Sequence, residues 1–580
     1  MKRIKIYILV MTGLLMTVCT ACSDFFEPEN NTTLNGKEYI KENAELYSGF
    51  LGIITRMQVI GDKAIYLTDT RGELLEPTGN TTGDLYSLYN YDDDLTGNTY
   101  ADPASYYDVI ISCNDFMQRA KEYKEGHENT VDSDHYKGLI SSALRVKAWI
   151  YLTLGKIYGQ AVWFDSPMQN LDDLSKYPVK NLDEIVNACD DLLETGFDGI
   201  DGKQVMKWSE WLNPVESTSI SDEHQRWDMM VPGYFILKAE IALWKNDGAT
   251  ASRLILDEIN SQLQNQGSGT NGPKLTRGGT YINSFGQQYD AANPVLYATE
   301  SVIVYNYQYN QQNSLLKHLD RNGSYLLRPS LAAVKRFKDT AFNPPEDPNK
   351  IETSDKRFNT FKTITADEEY SIQKYRGYTS KPGHQVANDD VHIMIYHTGD
   401  IHLMLIEALN LEGRYEPAFA VMNPGGVNTY LNSGDPADPA VADPVLWKGF
   451  TAQWTSSKKT YCDQGMRGVG GLGKRDIWLS EEDIKEEAVA DENLTGLTPE
   501  NQIKKHNDIE MLKESMLELA CEGKTYPLMI RVAKRWNDYS IISRFVSEKY
   551  PDGQKEQIAS KIMNGAYFVP WDLDSKAVSH

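Results

Sequence analysis

The chain's 580 residues are 41% hydrophobic and 11% aromatic, enough apolar material for a large core, and general disorder is excluded. Its 82 acidic residues against 58 basic ones give a formal net charge of −24. That balance excludes a nucleic-acid-binding surface, because phosphate binding draws its affinity from clustered Lys and Arg. Thirty-four Tyr and 11 Trp outnumber the 16 Phe, a balance that suits wet, stacking surfaces as well as cores.

In chain order the first element is a targeting segment. Lys2, Arg3 and Lys5 precede an apolar run from Ile6 to Val18, and Thr20-Ala21-Cys22 follows. A basic start, a short apolar run and small residues before a break form a secretory signal, too short for the ~20 residues that span a bilayer. The Cys directly after Ala21 makes residues 1–21 resemble a bacterial lipoprotein signal, with Cys22 the lipidated first residue of the processed chain. Residues 22–35, opening Ser23-Asp24-Phe25-Phe26-Glu27-Pro28-Glu29, read as an acidic, flexible tether. The other Cys, 113, 189, 462 and 521, are widely spaced and form no C-x-x-C, so no zinc or redox motif is available. Disulfide pairing and buried thiols both remain open for them.

Further along, apolar residues recur at three- and four-residue intervals, the period of a helix. Tyr136 to Gly159 carries Leu139, Ala143, Val146, Ile150, Leu154 and Ile157 in this way, and Asp183 to Glu194 is expected to pair with it. Pro232–Trp244 and Ala249–Leu263 form a helix–turn–helix pair through Asn246-Asp247-Gly248. His392–Glu412 and Glu416–Met422 repeat the layout around Gly413-Arg414, and Asp508–Glu522 is a further amphipathic helix. Pairs of this size resemble tetratricopeptide units, with Ala408 and Ala418 allowing close approach and Tyr415 filling the corner. Long polar stretches, 70–107, 267–313, 340–390 and 423–474, separate the pairs. The fold class is therefore mainly α: tetratricopeptide-like helix pairs near 136–194, 232–263, 392–422 and 508–522, presenting long irregular loops.

Several segments resemble the SusD/RagB family of surface nutrient-binding lipoproteins. Cys22-Ser-Asp-Phe-Phe-Glu27 is similar to the family's lipid Cys and following acidic-aromatic triplet. Arg145-Val-Lys-Ala-Trp-Ile-Tyr through Tyr158-Gly159 resembles its Arg-x-x-Ala-aromatic helix. Asp400 through Asn410, Glu518-Leu-Ala-Cys-Glu-Gly-Lys-Thr-Tyr through Arg531, and Tyr567-Phe-Val-Pro570 resemble three further motifs in family order. The resemblance implies a single SusD-like domain over 36–580, carried on the outer face of an outer membrane by the Cys22 lipid. It implies a non-catalytic protein that captures glycan and passes it to a SusC-like TonB-dependent transporter. The alternatives are a surface glycoside hydrolase, for which no motif isolates a carboxylate pair, and a structural or adhesin lipoprotein.

Three local patterns have plainer readings. Gly468-Val-Gly-Gly-Leu-Gly473-Lys474-Arg475 nearly matches a phosphate-binding loop, but Arg475 replaces the Ser/Thr that would hold magnesium, so a flexible surface loop is expected. His392, His397, Asp400 and His402 are read as polar residues on a helix surface, since H-E-x-x-H is absent. Asp92-Asp93-Asp94-Leu95-Thr96-Gly97-Asn98 is similar to the first half of a calcium loop, yet Pro103 stands where the bidentate Glu belongs. No cofactor and no catalytic metal are expected; a structural calcium is a weak alternative at that loop.

A glycan site needs aromatic faces for the C–H side of a sugar ring and polar groups for its hydroxyl edge. Asp69 and Arg71, with Tyr86, Tyr89 and Tyr91, supply both in one stretch. Lys374-Tyr375-Arg376-Gly377-Tyr378 supplies a second set, of which Arg376 and Tyr378 are the expected contacts. Tyr305, Tyr307 and Tyr309 alternate with polar residues and read as a half-buried strand.

Overall fold

Ser133–Tyr158 is the longest helix and is buried on nearly every face, as expected of a helix apolar well beyond one stripe. The Asp132 carboxylate caps its first turn, accepting from the amides of Asp134 and His135 at 2.9 and 3.0 Å. Gly159 ends it at φ +72°, where a Cβ would also strike the Phe568 ring. These features belong to a computed structural model describing residues 40–168, 176–204, 230–265, 301–304, 314–321, 323–363, 369–372, 374, 392–431, 443–451, 454, 465–468, 472–479 and 494–571. Cys22, Cys462, Arg376, Tyr378 and the Tyr305–Tyr309 set lie outside the described residues.

The protein is mainly helical. Leu182–Thr195, capped by Asn181 and Glu184, packs on Ser133–Tyr158, which packs on Ala104–Gly126, which in turn meets Asn43–Ile60. Tyr234–Trp244 and Gly248–Asn265 form the expected pair, and Gly248–Asn265 lies against Thr398–Leu411. The approach is close enough that a Cβ on Gly248 would sit 2.6 Å from the Ala408 carbonyl oxygen. Ala408 and Ala418 are fully buried at the Thr398–Leu411/Tyr415–Met422 corner, with Tyr415 beside them. Pro499–Glu518, Thr525–Trp536, Ser540–Ser547 and Gln554–Met563 follow as successive packed helices. The described strands form short antiparallel pairs, among them Leu75–Pro77 with Leu327–Pro329 and Gln160–Val162 with Val179–Asn181.

Three expectations are corrected. The segment expected to be helical from His392 begins as a strand, His392–Tyr396, paired with Ser301–Val304. Its His-Ile-Met-Ile-Tyr sequence favours extended backbone, and the helix starts only after His397, whose ring accepts from the Gly399 amide. The last expected helix starts nine residues early, at Pro499, because Thr498 is a better cap and proline fits the first helical turn. The stretch 70–107 is not irregular: it holds strand Leu75–Pro77, helix Gly83–Tyr89 and the start of Ala104–Gly126.

Pro499–Glu518 carries a row of interior charge. Glu514 is fully buried and accepts from Arg357 at 2.6 Å, Arg467 at 2.8 Å and Arg475 at 2.9 Å. Glu518 accepts from Arg357 at 2.9 Å, and Asp355 pairs with both Arg357 and Arg467. Burial works against the charge on Glu514, but the three guanidiniums outweigh it and hold the carboxyl well below its usual range. The flanks of the glycine-rich segment, Arg467 and Arg475, are tied into the interior rather than exposed as expected of a surface loop, and residues 469–471 between them lie outside the described residues. Glu514→Ala would remove the carboxylate that three buried guanidiniums share and should lower the unfolding free energy by about 3–5 kcal/mol. Urea titration checks this, and a loss under about 1 kcal/mol would show that the network does not hold the segments together.

Candidate functional site

The largest opening described is a cleft of about 840 Å³ with three walls. The first wall is the turn after helix Gly83–Tyr89, residues 91–99. Tyr91 adopts φ +55°, its amide donating to the Leu88 carbonyl at 3.2 Å. Asn98 pins the turn: its Nδ2 donates to the Asp84 carbonyl at 2.8 Å, and its Oδ1 accepts from the Tyr100 and Ala101 amides at 3.1 Å. Asp94 accepts from the Thr96 amide at 2.9 Å. The second wall starts where the long helix ends, with Tyr158 donating to the Ala101 carbonyl at 2.9 Å and Gln160 reaching the Trp571 carbonyl at 3.4 Å.

The third wall is the segment 565–571, ending in Phe568 and Trp571, both half-buried. Arg71 holds it, its Nη2 donating to the carbonyls of Ala566 at 2.5 Å and Phe568 at 3.0 Å. The guanidinium lies 4.0 Å over the Tyr91 ring, and Tyr91 in turn donates to the Arg71 carbonyl. Tyr526 donates to the Tyr567 carbonyl at 2.9 Å, and the Val569 amide to Ile157 at 2.9 Å. Flat rings therefore stand opposite a turn rich in oxygen acceptors. That arrangement fits a ligand with one apolar face and an edge of hydroxyl donors.

The residues singled out from the sequence divide accordingly. Arg71 and Tyr91 line this cleft but sit in its floor, each 1% exposed, as braces for its walls. Asp69 is 3% exposed and accepts from the Gly523 amide at 3.0 Å, behind the cleft. Tyr89 is buried with its ring 4.5 Å from that of Tyr550. Tyr86 is 41% exposed and is not among the residues lining the cleft; its hydroxyl donates to the Thr78 carbonyl at 3.3 Å. Lys374 is buried, donating to the Ala520 carbonyl at 2.8 Å. Phe568 and Trp571 were not singled out; their signal was the Tyr567-Phe-Val-Pro570-Trp571 run itself, an aromatic cluster far from the early loop in sequence.

A smaller interior cavity of about 110 Å³ lies between Trp149, Met394, Tyr396 and the Lys156–Glu240 pair. At ~30 Å³ per water it has room for only a few water molecules. Beside it, His397, Asp400 and His402 are buried, not on a helix surface. His397 Nε2 lies 2.8 Å from Glu522 while its Nδ1 accepts from Gly399, and Lys524 bonds both Asp400 and Glu522. With an ammonium group already seated between these carboxylates, the trio is an ion-pair network rather than a cation cradle. Cys113 and Cys189 are buried free thiols, Cys521 is buried too, and burial pushes Cys113 up to about 12.

Burial likewise pushes the Asp69 carboxyl up to about 8, against the opposing pull of the Gly523 amide. This stands above the ~3.9 of an unfolded Asp, so the stability that Asp69 contributes is complete below about pH 4 and lost as pH rises through 8. Asp69→Asn should remove that dependence. Denaturant titrations at pH 5 and pH 8 should show the variant gaining on the native protein at the higher pH, and an unchanged difference would mean a carboxyl already ionised at pH 5.

Neither a family model nor a curated protein matches the sequence. Solved structures do. The chain is similar to a SusD superfamily protein from Bacteroides vulgatus ATCC 8482, with a TM-score of 0.56 at 13% identity over 90% of this chain and 92% of that one. A SusD superfamily protein from Bacteroides thetaiotaomicron VPI-5482 gives 0.55 at 13% identity over 92% and 97%. The surface glycan-binding protein A from Bacteroides uniformis gives 0.52 at 15% identity over 92% and 95%.

Proposed function

We propose that this chain, which has the fold of the SusD superfamily, is a non-catalytic glycan-binding protein of the cell surface. The observation that carries the reading is the cleft, where half-buried Phe568 and Trp571 stand across from the Asp92–Asn98 turn. A saccharide ring would lay its C–H face on the indole and give its hydroxyls to the carboxylates and to Gln160. The fold shared with a surface glycan-binding protein supports the same reading. Trp571→Ala should weaken binding of the best ligand from a polysaccharide panel by about 1–2 kcal/mol, roughly five- to thirtyfold in Kd. Calorimetry measures this, and a reducing-end assay on the same mixtures should stay flat. Unchanged affinity in the folded variant moves the site elsewhere, and new reducing ends make the protein a glycosidase.

The finer reading follows from the sequence resemblance: Cys22 is lipidated, the protein sits on an outer membrane, and it delivers glycan to a SusC-like TonB-dependent transporter. No described helix is long and apolar enough to cross a membrane, so attachment through acyl chains would serve where no such helix does. Gently solubilised native membranes should yield this chain together with a large TonB-dependent barrel. In cells lacking that barrel, Cys22→Ala should shift the protein to the soluble fraction. A Cys22→Ala chain that still sediments there contradicts the anchor, and recovery of the free chain alone contradicts the partner.

A further inference from the structure

We infer that the cleft selects uncharged glycans and rejects those bearing carboxylate or sulfate groups, an inference that rests on the glycan-binding reading above. Among the described residues lining it the charged groups are unequal: Asp92, Asp93, Asp94 and Asp102 against the single cation Arg71. Arg71 is withheld by burial: it is 1% exposed, its Nη2 donates to the Ala566 and Phe568 carbonyls, its plane lies over Tyr91, and its Nε and Nη1 are buried as well. The nearest lysines are turned to other work outside the walls. Lys63 donates to the Asp102 carbonyl at 2.6 Å and to Ser105 at 2.9 Å, and offsets part of the Asp102 charge. Lys561 donates to the Tyr91 carbonyl at 2.7 Å, behind the turn. Asp93 and Asp94 line the cleft and stay exposed, and no lysine or arginine among the described residues is in ion-pair contact with them.

Two effects then act in the same direction. Ionised carboxylates only accept hydrogen bonds, so the turn wants donors; sugar hydroxyls donate, whereas a uronate or sulfate oxygen only accepts. A ring stacked on Trp571 would also carry any anionic substituent into the field of the turn, within the ~8 Å over which charges are felt at physiological salt. Among the described residues lining the cleft none offers an accessible Arg fork that would recognise carboxylate or sulfate bidentately, since Arg71 is buried beneath the walls it braces.

The test uses the full-length protein and the tightest neutral binder from a polysaccharide panel. Its carboxymethylated derivative and its hydroxyethylated derivative, an uncharged control of similar bulk, are compared by calorimetry at low and high salt. The carboxymethylated form should bind at least about tenfold more weakly than the hydroxyethylated form at low salt, with the gap narrowing at high salt. The triple variant Asp92→Asn, Asp93→Asn, Asp94→Asn, which keeps carbonyl acceptors and removes the charge, should close most of the gap. Equal or tighter binding of the charged derivative overturns the inference and leaves the glycan reading standing. A gap that survives in the triple variant and ignores salt also overturns it. If no polysaccharide binds at all, the glycan reading itself fails and takes the inference with it.

Discussion

A guanidinium cut off from water must find acceptors inside the protein, and Arg71 finds them in the carbonyls of Ala566 and Phe568, nearly five hundred residues downstream. The rest of the cleft depends on this pairing. It sets the distance between the turn that begins at Tyr91 and the aromatic wall that ends at Trp571, because Tyr91 stacks on the same guanidinium and donates to the Arg71 carbonyl. Lys549 reinforces the join, donating to the carbonyls of Thr70, Gly72 and Leu75. Burial depresses that amine to about 7, so three main-chain acceptors must hold whatever charge it keeps. Interior polar groups here act as rivets between segments far apart in the chain that meet in one hydrophobic core.

The same device recurs on the other side of the molecule. Glu407 receives Arg531 and Arg535 within the core, Asp508 receives Arg535 at 2.8 Å, and Glu514 gathers three arginines. Each carboxylate lies on a helix facing another helix or an irregular segment, so its partner fixes where that segment crosses. Such buried pairs add little net stability over apolar packing, but breaking one partner is costly, and their geometry admits few alternatives. In a helical scaffold with long connections this specificity is useful. Leucine-rich faces tolerate sliding, whereas a three-way arginine cluster does not.

The helical scaffold was legible in the sequence where periodicity is strong: Ser133–Tyr158, Leu182–Thr195, the 234–265 pair and Tyr415–Met422 all stand within a few residues of expectation. The failures have common causes. Strand His392–Tyr396 merges into a helix pattern because five apolar-rich residues fit either period. Helix Gly83–Tyr89 was hidden by the turn residues around it. At the site, residue type was informative and position was not. Arg71 and Tyr91 do line the cleft, but their burial depends on the far end of the chain, which no local pattern reports. Asp69, similarly, looks like a ligand group until the Gly523 amide is seen to occupy it.

The seam between the chain's early and late segments also bears on the order in which the molecule assembles. Residues 62–100 meet partners in 521–569 through Asp69 with Gly523, Tyr91 with Tyr526, Tyr89 with Tyr550, and Arg71 with Phe568. Contacts of such separation close very large loops, whose entropy must be met before the contacts repay it. The helix pairs in between are local and can form as they emerge. The cleft cannot, since one of its walls, 565–571, lies nearly five hundred residues downstream of Arg71. A chain made only as far as residue 564 would therefore hold its helix pairs without the cleft, leaving the polar floor around Arg71 wet and its aromatic wall absent until 565–571 docks.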